Sequence, residues 1–372
     1  MTSPHSDTDE TSPRRHLGSL LGSAWLRPLN DVDSIEDLVS CLVPTWSFTR
    51  VKARVVAARR ETPRARTLVL APNRLWPGHV AGQHVLVTAE VSGRRVARTF
   101  SVSSAPRRDG RIEITVKRRE GGVLSAWWND AAAPGDVIVL GRPAGDFVLP
   151  APLPPRVAML SAGSGVTPLM AMLRELDARP SGSPGTHVRF EHWASDREDV
   201  IFASELESIA RRRPWLDLVV HATREGGRPD ADALDRLAGR CGDVATWLCG
   251  PAGFREAVRE AWKRAGHAGA PREESFGIVP VDLPAPGESE PVVAEASGRT
   301  FEAPRGTSLL AAAEAAGLRP NHGCRAGICH TCSRRLLSGS VVDLRDGRVV
   351  SEPGRTIQLC ISGALSPVRI DL

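Results

Sequence analysis

The stretch HGCRAGICHTCSRRL, residues 322–336, puts three cysteines within nine residues, and a fourth, Cys360, follows in IQLCIS. Cys324, Cys329 and Cys332 have the spacing C-x4-C-x2-C in a chain with only seven cysteines in all. Thiolates suit soft iron, and this spacing with one distant thiolate is the plant-type pattern for a [2Fe–2S] cluster. Gly323 and Gly327 would let the loop wrap closely enough for its amides to reach the sulfides. Structural zinc is the competing reading, but it more often takes paired C-x2-C ligands. Cys41 and Cys241 lie outside the pattern and read as small buried hydrophobes.

The rest of the chain must feed such a centre, and its composition narrows how. At 372 residues with 41% apolar content, it has room for two or three globular domains. The formal charge of +5 is small for this length, and the basic residues, nearly all arginine, are scattered. That pattern gives no nucleic-acid footprint. No signal-peptide pattern and no bilayer-length apolar run is present, and an odd cysteine count argues against a secreted disulfide framework. A monomer in the cytoplasm is expected, at most peripheral at the inner membrane through its electron acceptor.

The hydrophobic period changes along the chain, and the changes divide it. Residues 1–47 read as a disordered tail and an apolar extension with a short helix over Ser34–Leu42. Residues 48–153 alternate in short runs such as RVVAARR, QHVLVTAEV and RIEITVKRR, as an antiparallel β-barrel does. PAPLPP marks a boundary. Residues 154–277 then alternate fully apolar strands (RVAMLSAG, HVRFEHWA, VATWLCG) with helical segments, one of them from Thr167 to Ala178, which is an α/β layout. Residues 278–291 are a linker by composition. Residues 292–372 begin with two short strands and a helix in TSLLAAAEAAG, with Thr307 as its cap and Gly317 at its end.

On these motifs the chain resembles a known family. Residues 292–372 are similar to a β-grasp, α+β ferredoxin domain of the plant type. Arg98, Thr99, Phe100 and Ser101, in ARTFS, resemble the flavin motif R-x-[YF]-S of the ferredoxin–NADP reductase superfamily. The resemblance implies that Arg98 pairs with the flavin pyrophosphate, Phe100 lines the flavin and Ser101 hydrogen-bonds near its N5. Phenylalanine replaces the commoner tyrosine at position 100, so any hydroxyl contact to the ribityl chain is lost. Gly121, Gly122 and Ser125, in REGGVLSAWW, match the second flavin-phosphate motif, where a helix starting near Leu124 would add its positive end. Gly82 and Gln83 resemble the turn before a flavin-site strand. FAD is the expected flavin, with FMN the alternative.

The same resemblance extends to the α/β unit. Gly163, Gly165 and Thr167, in GSGVTP, form a glycine turn into a helix, a ready diphosphate site. Cys249, Gly250 and Pro251 match the second nicotinamide-side motif, with Cys249 beside the ring. Phe276, in EESF, resembles the terminal aromatic element facing the flavin. Ser195 and Arg197 would take a 2′-phosphate and favour NADPH, whereas Asp196 would take ribose hydroxyls and favour NADH.

A nicotinamide gives up two electrons at once and a [2Fe–2S] cluster accepts one at a time, so a flavin must stand between them. Ser101, Cys249 and Phe276 are the expected residues around hydride transfer. No nucleophile or acid–base dyad is required. The expectation is an NADPH-dependent reductase passing electrons through FAD and the cluster to a protein acceptor. By resemblance to actinobacterial reductases the acceptor is a membrane acyl-CoA desaturase. A ring-hydroxylating or alkane oxygenase is the alternative, and a non-catalytic redox-sensing or zinc-binding module is the reading from another class.

Overall fold

The computed structural model describes residues 39, 42–179, 185–242, 244–267, 269–274, 289–323, 325, 327, 330–344 and 347–372. Three units follow one another. Of the helix expected over Ser34–Leu42, Val39 and Leu42 are described and helical. Cys41 lies outside the described residues.

The first unit is a six-stranded antiparallel sheet. It comprises β1 (Val51–Thr62), β2 (Ala65–Pro72), β3 (His84–Val91), β4 (Arg94–Ser101), β5 (Ile112–Lys117) and β6 (Val137–Leu140), in the order β4-β3-β6-β1-β2-β5. Alternation drives it: Val85, Val87 and Ala89 of β3 point inward and are buried, while the residues between them face out. The two edges meet where Val102 bridges Ile114 and the Ser103 amide donates to the Glu113 carbonyl at 2.8 Å, so the sheet curls into a barrel. Helix α1 (Val123–Asp130) closes one end by dropping Leu124 and Trp128 into the core.

The second unit is a parallel sheet. It contains β7 (Arg156–Ala162), β8 (His187–Ala194), β9 (Leu216–Ala222), β10 (Ala245–Cys249) and β11 (Arg272–Glu274), ordered β11-β10-β7-β8-β9. Strands buried on both faces need unbroken apolar runs, which is what RVAMLSA supplies. Helices α2 (Val166–Asp177) and α3 (Ala203–Arg212) cover one face, and α4 (Ala231–Cys241) and α5 (Ala252–Arg264) the other. Helix α2 starts one residue before the expected Thr167. The strand order reverses at β7, between β8 and β10, the place where doubly wound sheets open a crevice.

The core between β7 and α2 also takes in Ala65, Ala81 and Phe147 of the barrel. Arg174 of α2 donates to the Ser103 carbonyl at 2.8 Å, and the Trp247 indole to the Val148 carbonyl at 3.2 Å. The barrel, which also has a core of its own, therefore packs onto the parallel sheet through a shared apolar cluster.

The third unit has its own core, built on Val292, Phe301, Leu309, Leu336 and Ile370. Its main sheet holds β12 (Ser289–Ala294), β13 (Arg299–Pro304), β14 (Ser333–Ser338), β17 (Thr356–Gln358) and β19 (Val368–Ile370), in the order β13-β12-β19-β14-β17. Helix α6 (Leu309–Ala315) packs on it, and β15 (Val341–Asp343), β16 (Val349–Val350) and β18 (Ser362–Ala364) form a small second sheet. Two details differ from expectation. Strand β12 begins three residues inside the segment expected as linker, because Ser289, Glu290 and Pro291 already pair with Pro304, Ala303 and Glu302. The helix cap is Ser308, whose hydroxyl accepts from the Ala311 amide at 3.2 Å, rather than Thr307.

Candidate redox site

Strand β4 lies at the edge of the barrel, and its last four residues line a cleft of about 440 Å³. Arg98, Thr99, Phe100 and Ser101 form one wall, and Gly122 and Ser125 at the start of α1 form another. Gly121 precedes this turn at φ 67° without lining the cleft. Ser125 accepts from the Arg119 amide and donates to the Gly122 carbonyl, both at 3.1 Å, which fixes the glycine loop.

The residues fit a flavin on two observations. Arg64, Arg98, Lys117, Arg118 and Arg119 face the cleft against one acid, Glu120, so the cleft suits an anionic diphosphate. The Thr99 hydroxyl is buried with no protein partner among the described residues, as a ligand-binding group would be before loading. Phe100 packs its ring 5.6 Å from that of Trp128, presenting an apolar surface where a flavin would lie.

A second cleft, of about 510 Å³, opens at the crevice of the parallel sheet. It shares Lys117 with the flavin cleft, and the turn Gly163–Ser164 separates them, with Gly163 on one side and Ser164 on the other. Gly165 lies beneath: a Cβ there would stand 2.1 Å from the Cys249 carbonyl oxygen, so only glycine lets this turn approach β10. The Thr167 hydroxyl donates to the Ser164 carbonyl at 3.0 Å, and Thr167 lines the flavin side rather than the nucleotide side. Pro251 and Ser195 line the second cleft. The Gly250 carbonyl accepts from Arg255 Nε at 3.2 Å.

At Ser101, which lines the flavin cleft, three side chains converge; His84, Glu274 and Cys249 line neither cleft. Ser101 is buried and donates its hydroxyl to Glu274 Oε2 at 3.3 Å. His84 Nδ1 is 3.0 Å from Glu274 Oε1. Cys249 is fully buried, and burial, followed by the Glu274 carboxylate, pushes its thiol well above the ordinary range. Cys249 is thus a neutral packing group rather than a nucleophile. Glu274 and His84 were missed in the sequence, although EESF and GQHVLV both carried the signal. Phe276 lies outside the described residues.

Of the residues expected around a 2′-phosphate, Ser195 lines the second cleft. Arg197 does not line the cleft; its side chain is 82% exposed and its Nε meets Glu225 Oε2 at 3.3 Å. Asp196 is taken by Arg224 Nη1 at 2.6 Å. The residues that do line the cleft there are Thr223 and Arg228, and Arg228 also faces a neighbouring cleft of about 670 Å³ beside His221 and Arg240. The ring of Trp193 stacks parallel to that of His221 at 4.5 Å between these two clefts.

In the third unit, Cys332 and Cys360 are buried and joined through strand pairing. Ser333 of β14 lies opposite Gln358 of β17, and the Leu359 amide donates to the Cys332 carbonyl at 3.2 Å. Cys324 and Cys329 lie outside the described residues. The donor set around the loop fits sulfur ligands: Ser333 Oγ, Gln358 Nε2 and Arg325 Nε are buried without partners among the described residues. Such orphan donors are what cluster sulfurs would accept from. The loop also touches the flavin cleft, for Arg98 Nη1 reaches the Gly323 carbonyl at 3.4 Å.

A flavin cleft, a nucleotide crevice and a cysteine loop in contact define an NAD(P)H oxidoreductase of the ferredoxin-reductase type. Residues 65–149 match the oxidoreductase FAD-binding domain family, residues 159–260 the oxidoreductase NAD-binding domain family, and residues 292–362 the 2Fe-2S iron-sulfur cluster binding domain family. The chain belongs to the ferredoxin–NADP reductase superfamily, in the group carrying a C-terminal [2Fe–2S] domain, and FAD, NAD(P)H and the cluster are its cofactors. It is 34% identical to an NADPH oxidoreductase of Mycobacterium tuberculosis over 91% of this chain and 88% of that protein. It is 31% identical to a glycine betaine monooxygenase reductase subunit of Chromohalobacter salexigens over 83% of this chain and 91% of that protein. The fold resembles that of phthalate dioxygenase reductase, with a TM-score of 0.61 and 24% identity, covering 87% of this chain and 98% of that one.

A bound flavin would supply the conversion of a two-electron hydride donor to single-electron delivery. The chain's own part is placement. Arg98, Thr99, Gly122 and Ser125 would hold the flavin, Gly163 and Pro251 the nucleotide diphosphate, and Ser101 would border the reacting rings. Cys332 and Cys360, with Cys324 and Cys329 of the same motif, would hold the cluster.

Proposed function

We propose that this chain is the reductase component of an oxygenase system, carrying electrons from NADPH through FAD and the [2Fe–2S] cluster to a separate protein acceptor. The contact between Arg98 and Gly323 carries the electron-transfer reading, because it sets the residue before Cys324 directly against the flavin cleft. The oxygenase reading is supported by relatives named as monooxygenase reductase subunits, among them the ferredoxin reductase component of a 3-ketosteroid-9-alpha-monooxygenase of Mycobacterium tuberculosis, 32% identical over 76% of this chain.

A membrane acyl-CoA desaturase as acceptor is the second reading. It rests on the resemblance of the motifs alone, since the mycobacterial relative that matches 91% of the chain is an NADPH oxidoreductase whose name specifies no acceptor. No described helix is long and apolar enough to cross a membrane. NADPH is supported by Arg228 at the junction of two clefts and by the similarity to an NADPH oxidoreductase.

The test is reconstitution of the holoprotein with a purified Rieske-type oxygenase and, separately, with desaturase-containing membranes. NADPH-dependent product from the first supports the leading reading. Product from the second alone replaces it with the desaturase.

A further inference from the structure

His84 and Ser101 lie directly opposite each other on β3 and β4. Paired residues on neighbouring strands project to the same side of a sheet. Both side chains reach one carboxylate, and that carboxylate, Glu274, comes from the other domain at the end of β11. His84 Nδ1 donates to Oε1 at 3.0 Å and Ser101 Oγ donates to Oε2 at 3.3 Å, so the two oxygens are held separately. The His84 and Glu274 side chains are only 15% and 10% exposed, a setting in which such a contact is screened little.

The imidazole sits in a fitted recess. Gly145, at φ 103°, follows β6 against the ring; a Cβ there would stand 2.9 Å from Cε1 and 3.0 Å from Nδ1. The same loop is tied to His84 by its backbone, which exchanges hydrogen bonds of 3.0 and 2.9 Å with Ala144. Ring, loop and strand leave the imidazole one orientation, with Nδ1 toward Glu274.

The consequence falls on Ser101. A hydroxyl has one proton, and while that proton is given to Glu274 the oxygen faces the flavin cleft only as an acceptor. Oxidised flavin N5 is itself an acceptor, whereas N5 of the reduced flavin carries a hydrogen to donate. A serine held as acceptor therefore favours the state produced by hydride arrival. We propose that His84 is a positioning residue for hydride transfer: by clamping Glu274 it holds the Ser101 hydroxyl as an acceptor toward the flavin. This rests on the reading that Ser101 borders the flavin.

The experiment compares His84→Leu, which removes the donor, with His84→Asn, whose amide nitrogen stands near the place of Nδ1. Flavin reduction by NADPH is followed by stopped-flow, alongside flavin content and the difference spectrum that NADP+ induces in the oxidised flavin. For His84→Leu the expected result is a fall of about tenfold in the limiting rate of flavin reduction, as losing a hydrogen bond to a charged group entails. The KM for NADPH and the flavin content should stay unchanged, with a weakened NADP+ difference spectrum at unaltered NADP+ affinity. His84→Asn should recover most of the rate and the spectrum. In a Glu274→Ala background, His84→Leu should add nothing, because the histidine acts only through that carboxylate. Independent, additive losses, or a failure of asparagine to rescue, would overturn the proposal, as would full activity in His84→Leu. If Ser101→Ala and Glu274→Ala also left flavin reduction untouched, the placement of the flavin site itself would be at fault.

Discussion

The two ends of the proposed nucleotide path are built differently. At the hydride end, Ser101 closes β4, Cys249 closes β10 and Glu274 closes β11, so each is aimed by strand register, and Ser101 and Cys249 are 3% and 0% exposed. At the adenosine end, Arg197 and Arg224 stand on connections beyond β8 and β9, with side chains 82% and 75% exposed, and each is engaged by a nearby acid. Exposed pairs of this kind contribute about 0–1 kcal/mol and exchange freely with solvent. One end is preorganised and the other assembles around its ligand, so substitutions should act on rate at the first and on affinity at the second.

The strongest test of that division comes from outside both ends. Cys332→Ser or Cys360→Ser should abolish NADPH-driven cytochrome c reduction, while ferricyanide reduction, drawn from the flavin, should persist because the third unit has its own core. Equal loss of both activities would mean that the units do not act separately. Arg98→Ala comes next: losing a charge-assisted contact to a pyrophosphate should weaken flavin binding about 10–100-fold, seen as flavin lost on gel filtration.

Within the nucleotide path, Glu274→Gln should lower the single-turnover rate of flavin reduction by about tenfold with little change in the KM for NADPH. A rise in KM at constant rate would place Glu274 with the binding end instead. Arg228→Ala should do the opposite, raising the KM for NADPH about tenfold and sparing NADH, since only NADPH carries the 2′-phosphate. The smallest effect is expected for Arg197→Ala, less than about fivefold on either cofactor. If Arg197 exceeded Arg228, the adenosine end would lie along β8 and not beyond β9.

This division also explains what the sequence disclosed. The cysteine spacing, ARTFS and GSGVTP were legible because each is a short segment whose backbone shape and chemistry are specified together. ARTFS brings Ser101 to the flavin cleft for that reason, and the period change at PAPLPP precedes the first strand of the parallel sheet. Glu274 was overlooked beside Phe276 because its partners are remote: Ser101 is 173 residues away and His84 190. Arg197 was chosen because it follows the second parallel strand, yet its direction is settled by Glu225, a residue of the next connection. A side chain on an exposed turn takes its orientation from neighbours that local sequence does not specify. Thr307 and Ser308 are a smaller case of the same kind, two adjacent hydroxyls between which only the path of the chain decides.

Ala65, Ala81 and Phe147 belong to the barrel in sequence but to the neighbouring sheet in packing. In calorimetry, residues 48–274 should therefore melt as one cooperative block, with the ferredoxin unit giving a second, separate transition. The practical corollary concerns where the protein can be recombined. Exchanging the C-terminal unit for a foreign ferredoxin at a junction between Glu274 and Ser289 leaves the described core clusters of the first two units intact. A junction at PAPLPP would cut through a hydrophobic interior, and chimeras made there should be recovered as aggregates.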